Sequence, residues 1–509
     1  MVEKIKEIFT GDKQHEQVYL AEIEKQPIDR KRIFFIVFGL LLFFIVYFSP
    51  DWGAAVDPQG KGFPLSREGK AAIGLFLLAA TWWVFEVVPI GITSIMIGVM
   101  QVIFLIRSPK EAFTDFMDPS VWFIFASIII GLAFAKTGLT KRMAYKMLTF
   151  VGEKTSMIYL GSFAMIALLT FIMAHTAVAA ATFPLLMTIY SLYDPEGGVS
   201  KFGKGLFIGM AFVAGAGSIV TLLGAARGAV AIGFFKSIVG YEIGFFELTY
   251  YMFPIGIIMV FLIWIVFMFV YKPEKPTIPG LRDKVRILSR KLGKMTKNEK
   301  LTLIIVFAVI FLLSLRSFIP ELSDLNKSAV LLVTTVSFFI FKILDVKDLE
   351  DVPWNIILLF GGAMSIGFCL WKTGAADWMA VNWLVLFQSA PGFVFILGTA
   401  FFVLIMTNLI MNVAAIAITM PVALVTCQYL GVAPEIIVFA CLVTAGMPFL
   451  FLIGAAPNAI AYESRQFTSG EFFKVGIPMS IILMVVLAVF VWIIWPVMGM
   501  KLTIPITGG

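Results

Sequence analysis

A twelve-residue pattern occurs twice in this chain, each time inside a long apolar stretch. The first copy runs Ala174-His175-Thr176-Ala177-Val178-Ala179-Ala180-Ala181-Thr182-Phe183-Pro184-Leu185. The second runs Met411-Asn412-Val413-Ala414-Ala415-Ile416-Ala417-Ile418-Thr419-Met420-Pro421-Val422. At an offset of 237 both place a polar side chain second and Thr-x-Pro at the ninth to eleventh positions. A chain so patterned folds around discontinuous helices: small polar residues and a proline, paired across two halves, surround a central solute site. That is the plan of a transporter.

The solvent follows from composition. Apolar residues make up 60% of the 509, charged residues 14%, and mean hydropathy is +0.96. These values lie outside the range of a soluble globular domain, so the chain reads as all-α and polytopic in a membrane. The net charge of +7 does not signal nucleic acid. Basic residues collect at Lys25–Arg32, at Lys141, Arg142, Lys146 and Lys154, and densely from Lys272 to Lys300, the positive-inside signature of cytoplasmic loops. Cys369, Cys427 and Cys441 sit in apolar segments without a CxxC pair, which argues against a disulfide framework or a zinc site. Some thirty largely polar residues precede the first apolar run, so no cleavable signal is expected.

Apolar runs at Ile33–Phe48, Ala71–Val88, Pro89–Ile106 and Val121–Ala135 predict crossings, followed by a basic amphipathic stretch at Leu139–Val151. Ser156–Ser191 is interrupted at Ala174–Thr176 and predicts a re-entrant hairpin. Gly205–Leu223 continues past a break at Gly224–Gly228, and Leu248–Tyr271 closes the first half. After the linker the plan repeats: Leu301–Leu315, Ala329–Phe341, Trp354–Trp371, the interrupted Gly392–Leu430, Glu435–Ile453 with a break near Gly454–Asn458, and Val475–Trp495. Gly131 to Gly138, ending Lys136-Thr137-Gly138, matches Gly367 to Gly374, ending Lys372-Thr373-Gly374. Leu223-Gly224-Ala225-Ala226-Arg227-Gly228-Ala229 matches Ile453-Gly454-Ala455-Ala456-Pro457-Asn458-Ala459.

The expected organisation is therefore a cytoplasmic segment at 1–32, a first repeat at 33–271 with a cytoplasmic-side hairpin at 156–191, and a basic cytoplasmic linker at 272–300. An inverted second repeat at 301–509 carries an outer-side hairpin at 392–430. About eleven crossings and two opposed hairpins place the N-terminus in the cytoplasm and the C-terminus outside the plasma (inner) membrane.

The ordered set Trp82-Trp83-Val84-Phe85-Glu86-Val87-Val88-Pro89, the paired Lys-Thr-Gly, the paired tips and Gly-Ala-Ala-Pro-Asn-Ala resembles the divalent anion–sodium symporter family of dicarboxylate, citrate and sulfate carriers, from about Gly74 to Trp495. The resemblance implies a homodimer whose protomers each hold a scaffold domain and an elevator-type transport domain carrying both hairpins. It also implies a site map. The family's tips usually read Ser-Asn-Thr, so substrate binding falls to His175, Thr176, Asn412 and Val413, with Arg227 and Pro457 from the loops. A sodium site in the second half falls to Thr407, Asn412, Gly454 and Asn458, and Thr170 matches Thr407 in the first half.

This chain departs from the family mainly in its first half, where Arg227 stands in the loop and His175 at the tip. A dianion near the bilayer midplane needs compensating positive charge. Bound sodium supplies it in a symporter; a fixed cation supplies it permanently and repels the ion. Arg227 and His175 are thus expected to replace the first sodium, with the half-helix N-termini at Ala177 and Ala414 adding partial positive charge. An empty carrier with a fixed cation crosses unfavourably, so exchange of anions is expected over net symport. Sodium- or proton-coupled symport of dicarboxylate, citrate or sulfate is the alternative, with one Na+ in the second half as the only cofactor-like partner.

Bland roles remain open: His175 as an interhelical donor, Arg227 as a brace, Glu86 as a structural helix end, Lys136 and Lys372 as interface anchors, the phenylalanines as lipid-facing bulk. A channel needs no inverted hairpins. An enzyme needs a nucleophile–base pair or metal cluster, and no HExxH, GxSxG or Walker A sequence occurs. The expected partner is a small anionic solute, with 2-oxoglutarate or succinate preferred.

Overall fold

The computed structural model describes residues 30–56, 62–322, 324–384 and 391–504. His15, Lys25 and most of the expected 1–32 segment lie outside the described residues. The first half comprises α1 Arg30–Phe48, α2 Arg67–Val84, α3 Ile90–Ile103, α4 Pro109–Thr114, α5 Pro119–Thr137, α6 Leu139–Val151, α7 Thr155–Thr170, α8 His175–Tyr193, α9 Lys201–Gly217, α10 Ala226–Val239 and α11 Phe245–Val270. A linker helix, α12 Leu281–Lys291, follows. The second half holds α13 Lys297–Leu315, α14 Lys327–Ile340, α15 Val346–Glu350, α16 Trp354–Lys372, α17 Ala375–Leu384, α18 Gly392–Leu409, α19 Asn412–Tyr429, α20 Pro434–Ala445, α21 Ala456–Tyr462, α22 Ser469–Val489 and α23 Trp495–Val497. The described strands, β1 Ala55–Val56 and β2 Gly62–Phe63, form one small antiparallel pair.

Among the described residues nine helical spans are long and apolar enough to cross a membrane, and three of these are hairpin halves. Adding α2, the short α3 and α14, and the two broken helices α9–α10 and α20–α21 accounts for the eleven crossings expected from the sequence. Interhelix contacts come in exchanged pairs. Helix α5 packs on α14 as α16 packs on α3; α7 packs on α9 as α18 packs on α20; α8 packs on α21 as α19 packs on α10. A repeated plan in which each half completes the other produces this pairing.

The Lys-Thr-Gly repeat is a helix stop. Gly138 and Gly374 take φ of +83° and +73°, the left-handed turn that ends α5 and α16 at little steric cost. Thr137 and Thr373 each donate 2.7 Å to the carbonyl four residues back, Ala133 and Cys369. The breaks in the long helices run from Ser218 to Ala225 and from Gly446 to Ala455. Each starts several residues before the sequence expectation, and Arg227, Gly228, Pro457 and Asn458 lie in the first turns of α10 and α21. The apolar residues ahead of each glycine read as continuing helix in the sequence; tertiary contact overrides that preference.

The phenylalanines correct the expectation of lipid-facing bulk. Phe34, Phe48, Phe307 and Phe311 are exposed, but Phe123, Phe134, Phe163, Phe202, Phe207, Phe212, Phe234 and Phe235 are fully buried. The three cysteines are free and buried.

Helix ends sort into two faces, and each of the following ion pairs stays within one. On the first, Arg142 binds Glu299 at 2.7 Å and reaches the carbonyls of Leu292 and Gly293, pinning the linker to α6. Lys136 holds Asp345 and Asp348, Lys204 holds Glu471, and Arg32 donates to the Val87 carbonyl. On the second, Lys70 donates to Ser49, Trp378 to Gly53, and Glu242 gathers Lys327 at 2.8 Å, Lys236 at 3.1 Å and Arg316 at 3.4 Å. Burial alone would raise the Glu242 carboxyl, but the cations, Lys327 foremost, bring it down to about 2.

Because Glu242 titrates lower in the folded chain than its ordinary 4.5, it stabilises the fold above that value, and the contribution fades as pH falls towards 2. Glu242→Gln should therefore lower Tm in detergent at pH 7, and the gap to wild type should narrow in melts below pH 4.5. A second prediction concerns the breaks. An added Cβ at Gly224 would lie 2.7 Å from the Thr170 carbonyl oxygen, and at Gly454 2.9 Å from that of Thr407. Gly224→Ala and Gly454→Ala should each cost about 2 kcal/mol or more, read as a lowered Tm and loss of monodisperse protein.

Candidate functional site

Two hairpin tips are built alike and meet different surroundings. At the first, α7 ends at Thr170 and α8 begins at His175 after a short turn. The His175 backbone N–H donates 2.9 Å to the Gly224 carbonyl, and its ring Nδ1 lies 3.2 Å from the same oxygen. A carbonyl only accepts, so Nδ1 carries the proton. Thr221 Oγ1 donates 2.7 Å to the Phe171 carbonyl. Tip and unwound loop are thus clamped together at three points, one of them the close pass of Gly224 against Thr170.

At the second tip, α18 ends at Leu409 and α19 begins at Asn412. Thr407 Oγ1 donates 3.2 Å to the Ala445 carbonyl, and Asn408 Oδ1 accepts from Leu450 N–H at 2.7 Å. Asn458 Nδ2 donates to the carbonyls of Pro448 at 2.9 Å and Phe451 at 3.1 Å, which holds the unwound segment in shape. Asn408 and Thr221 escaped the sequence reading. Asn408 stands one residue after the aligned Thr407, where only its partner in the fold reveals its use.

A cavity of about 440 Å3 opens beside the first tip. Its walls are Ile124, Ile128 and Leu132 of α5, Leu222 and Leu223 of the loop, and Ile356 and Phe360 of α16. Its polar side chains are Ser127, His175 and Thr176, and Ser127 is already bonded to the Phe123 carbonyl at 2.9 Å. Ala174–Ala177 and Ala225–Ala226 also line it, so the N-termini of α8 and α10 converge there. Neither helix has a side-chain cap, which leaves first-turn N–H groups and two positive helix ends for an anion. Ala135 and Pro353 put the cavity near the face that carries Lys136.

The structure brings His175 and Thr176 to this cavity and leaves the other expected substrate residues away from it. Asn412 and Val413 are buried at 5% and 3% exposure, and the Asn412 Nδ2 has no partner among the described residues. The second tip borders a separate cavity of about 140 Å3 through Met411, together with Trp83 to Glu86, Leu409 and Ile453. Pro457 is buried in the first turn of α21. Arg227, at 1% exposure, points the other way: its Nη2 donates 2.7 Å to Ser218 Oγ, and its Nη1 has no partner among the described residues. Gly446 makes room for it, since a Cβ there would lie 2.8 Å from Nη2. In the aligned halves Ser218 matches Pro448, so Arg227 ties the first loop where Asn458 ties the second. Thr170 Oγ1 is spent on the Ala167 carbonyl at 2.7 Å. Thr407, Gly454 and Asn458 do come together around the second loop.

Glu86 takes φ +43° in the exposed turn between α2 and α3, a structural corner. Lys372 lies over the Phe368 ring at 5.9 Å. Among the described residues no group of three His, Cys, Asp or Glu could hold a metal.

Comparison with known proteins shows the family and the fold. The family described as the sodium:sulfate symporter transmembrane region matches residues 53–501. The sodium-dependent dicarboxylate transporter SdcS of Staphylococcus saprophyticus is 24% identical over 92% of this chain and 93% of its own. The protein of the same name from Staphylococcus aureus is 22% identical over 95% of each chain. Among solved structures, MtrF of Neisseria gonorrhoeae, described with a class of antimetabolite efflux pumps, shares the fold at TM-score 0.57 and 13% identity, covering 91% of this chain and 94% of its own. YdaH of Alcanivorax borkumensis, a transporter, is similar at TM-score 0.50 and 12% identity. The chain is a multi-pass membrane transporter, not an enzyme, and it belongs to the sodium:sulfate symporter family, the divalent anion–sodium symporters.

Proposed function

We propose that this chain carries dicarboxylate anions across the membrane chiefly by exchange, with little dependence on sodium. The observation that carries the reading is the meeting of two uncapped helix N-termini at the cavity beside His175 and Thr176. Helix ends and free N–H groups hold a carboxylate without a permanent charge in the wall. The apolar wall suits the hydrocarbon body of a dicarboxylate such as 2-oxoglutarate or succinate better than compact, fully hydrated sulfate. The names of the Staphylococcus relatives point to the same substrate class.

Arg227 supports the exchange mode as a resident charge in the first-half loop, not as a substrate ligand. Its guanidinium is locked to Ser218 inside the segment whose counterpart is the expected sodium loop. A cation so placed repels a second cation, and it stays with the protein whether or not substrate is bound. The elevator motion, the homodimer, the repeats at 33–271 and 301–509, and a cytoplasmic face bearing the N-terminus and the basic 272–300 linker complete the reading. The positive charge of Arg142, Lys154 and the linker on one face favours that orientation.

One observation favours the alternative. The second-half loop keeps Thr407, Gly454 and Asn458 together with unwound backbone, and carbonyl and amide oxygens are the donor type that sodium takes. Residual sodium coupling through Thr407, Asn412, Gly454 and Asn458 is the second reading.

Radiolabelled succinate uptake into proteoliposomes decides between them. Vesicles preloaded with unlabelled succinate should take up label whether or not a sodium gradient is present, and empty vesicles should not. Sodium-driven uptake into empty vesicles would establish symport and reduce Arg227 to a brace.

A further inference from the structure

The imidazole of His175 is tied by one nitrogen and open at the other. Nδ1–H is committed to the Gly224 carbonyl. Among the described residues Nε2 meets no donor or acceptor of the protein, and the residue lines the cavity. With Nδ1 as donor, the Nε2 of the neutral imidazole is an acceptor only. The cavity therefore presents two opposite demands within one site. The uncapped N–H groups of α8 and α10 ask for an anionic oxygen; Nε2 asks for a hydrogen-bond donor and opposes a second lone pair.

We infer that His175 is a specificity-determining residue that selects dicarboxylates presenting an O–H group beside the carboxylate held at the helix ends. The inference deepens the proposed carrier function and rests on it. An amide at this position would accept and donate alike, so it would still favour a hydroxyl over a hydrogen but could not tell an O–H from an ether oxygen; the imidazole fixed by Gly224 can. The rest of the wall reinforces the choice, because Ile124, Ile128, Leu132, Ile356 and Phe360 offer a misplaced hydroxyl nothing to bond. A site whose polar atom must be satisfied rejects the analogue that lacks the matching group more strongly than an apolar pocket rejects an extra one.

The O–H can come from two sources, a substrate hydroxyl or a carboxyl in its protonated form. The charged groups around His175 keep the two separable. Arg227 lies on α10, behind the loop; Lys136 stands at the end of α5, bound to Asp345 and Asp348; Asp351 precedes α16; no carboxylate lines the cavity.

The test is ligand affinity of the purified full chain, read as thermal stabilisation and as competition for exchange, with malate, succinate and 2-methoxysuccinate at pH 7.5 and pH 5. Malate should bind about tenfold or more tightly than succinate at pH 7.5. 2-Methoxysuccinate, which keeps the oxygen but not its proton, should fall to the succinate level. His175→Phe should collapse the malate-to-succinate ratio to roughly 1, whereas His175→Gln, with an acceptor that does not titrate, should restore most of it. Succinate that gains on malate at pH 5 in both wild type and His175→Gln assigns the donor to its protonated carboxyl; a constant ratio assigns it to the hydroxyl. Equal wild-type affinity for malate, succinate and 2-methoxysuccinate overturns the inference, and the ligand series decides even if a variant fails to fold. A ratio unchanged in a folded His175→Phe also overturns it. Binding of none of these anions overturns the carrier reading, and the inference with it.

Discussion

The close pass of an unwound loop against a hairpin end is the constraint on which the rest of this structure depends. Gly224 lies against the Thr170 carbonyl and Gly454 against that of Thr407. Backbone approaches backbone there because there is no side chain to keep them apart. Everything at the centre is referenced to these two points. The His175 ring finds the Gly224 carbonyl because the loop is already against the tip, and Asn458 braces a loop whose position Gly454 has set. In a membrane interior, broken helices expose carbonyls and N–H groups that lipid cannot satisfy, so irregular backbone survives only where it is buried in protein or lines a cavity. Both breaks meet that requirement.

The two halves use one scaffold with different chemistry. The second half keeps its loop in shape with a neutral amide, Asn458, that gathers two carbonyls. The first half does it with Arg227, whose Nη2 donates to Ser218 and whose Nη1 has no partner among the described residues. A buried guanidinium with one neutral hydrogen bond is costly for stability, and nothing in the packing of α9 and α10 demands an arginine. The cavity beside the first tip shows the complementary economy, with an apolar wall and polarity confined to helix ends, His175, Thr176 and the already bonded Ser127.

Much of this plan was legible in the residues. The paired tips became structure at their expected places and the interrupted helices break near theirs, only earlier, because glycine, proline and hydrophobic runs act locally. The direction of Arg227 was not legible. Its neighbour Ala226 faces the cavity, but one residue further round the helix the side chain meets Gly446 of the other half, and no local pattern carries that contact. The same applies to Asn412, whose match to His175 in sequence suggested a shared pocket. The second tip instead borders Trp83 to Glu86, so two equivalent tips sit in unequal surroundings. Burial of the phenylalanines was missed for a related reason: composition says how much apolar surface exists, not whether lipid or a neighbouring helix covers it.

Arg227 has one more consequence, an electrical one. A charge fixed in a moving body works against the membrane potential, by about 2.3 kcal/mol per elementary charge for each 100 mV traversed. On the exchange cycle proposed here only the carrier loaded with a dianion crosses and moves one net negative charge, whereas an empty carrier would have to move one positive charge. Swapping one dianion for another sends that same negative charge in both directions, and the current cancels. The membrane voltage then biases which side the loaded carrier prefers, yet it adds no work to a completed exchange, so net flux follows the anion gradients alone.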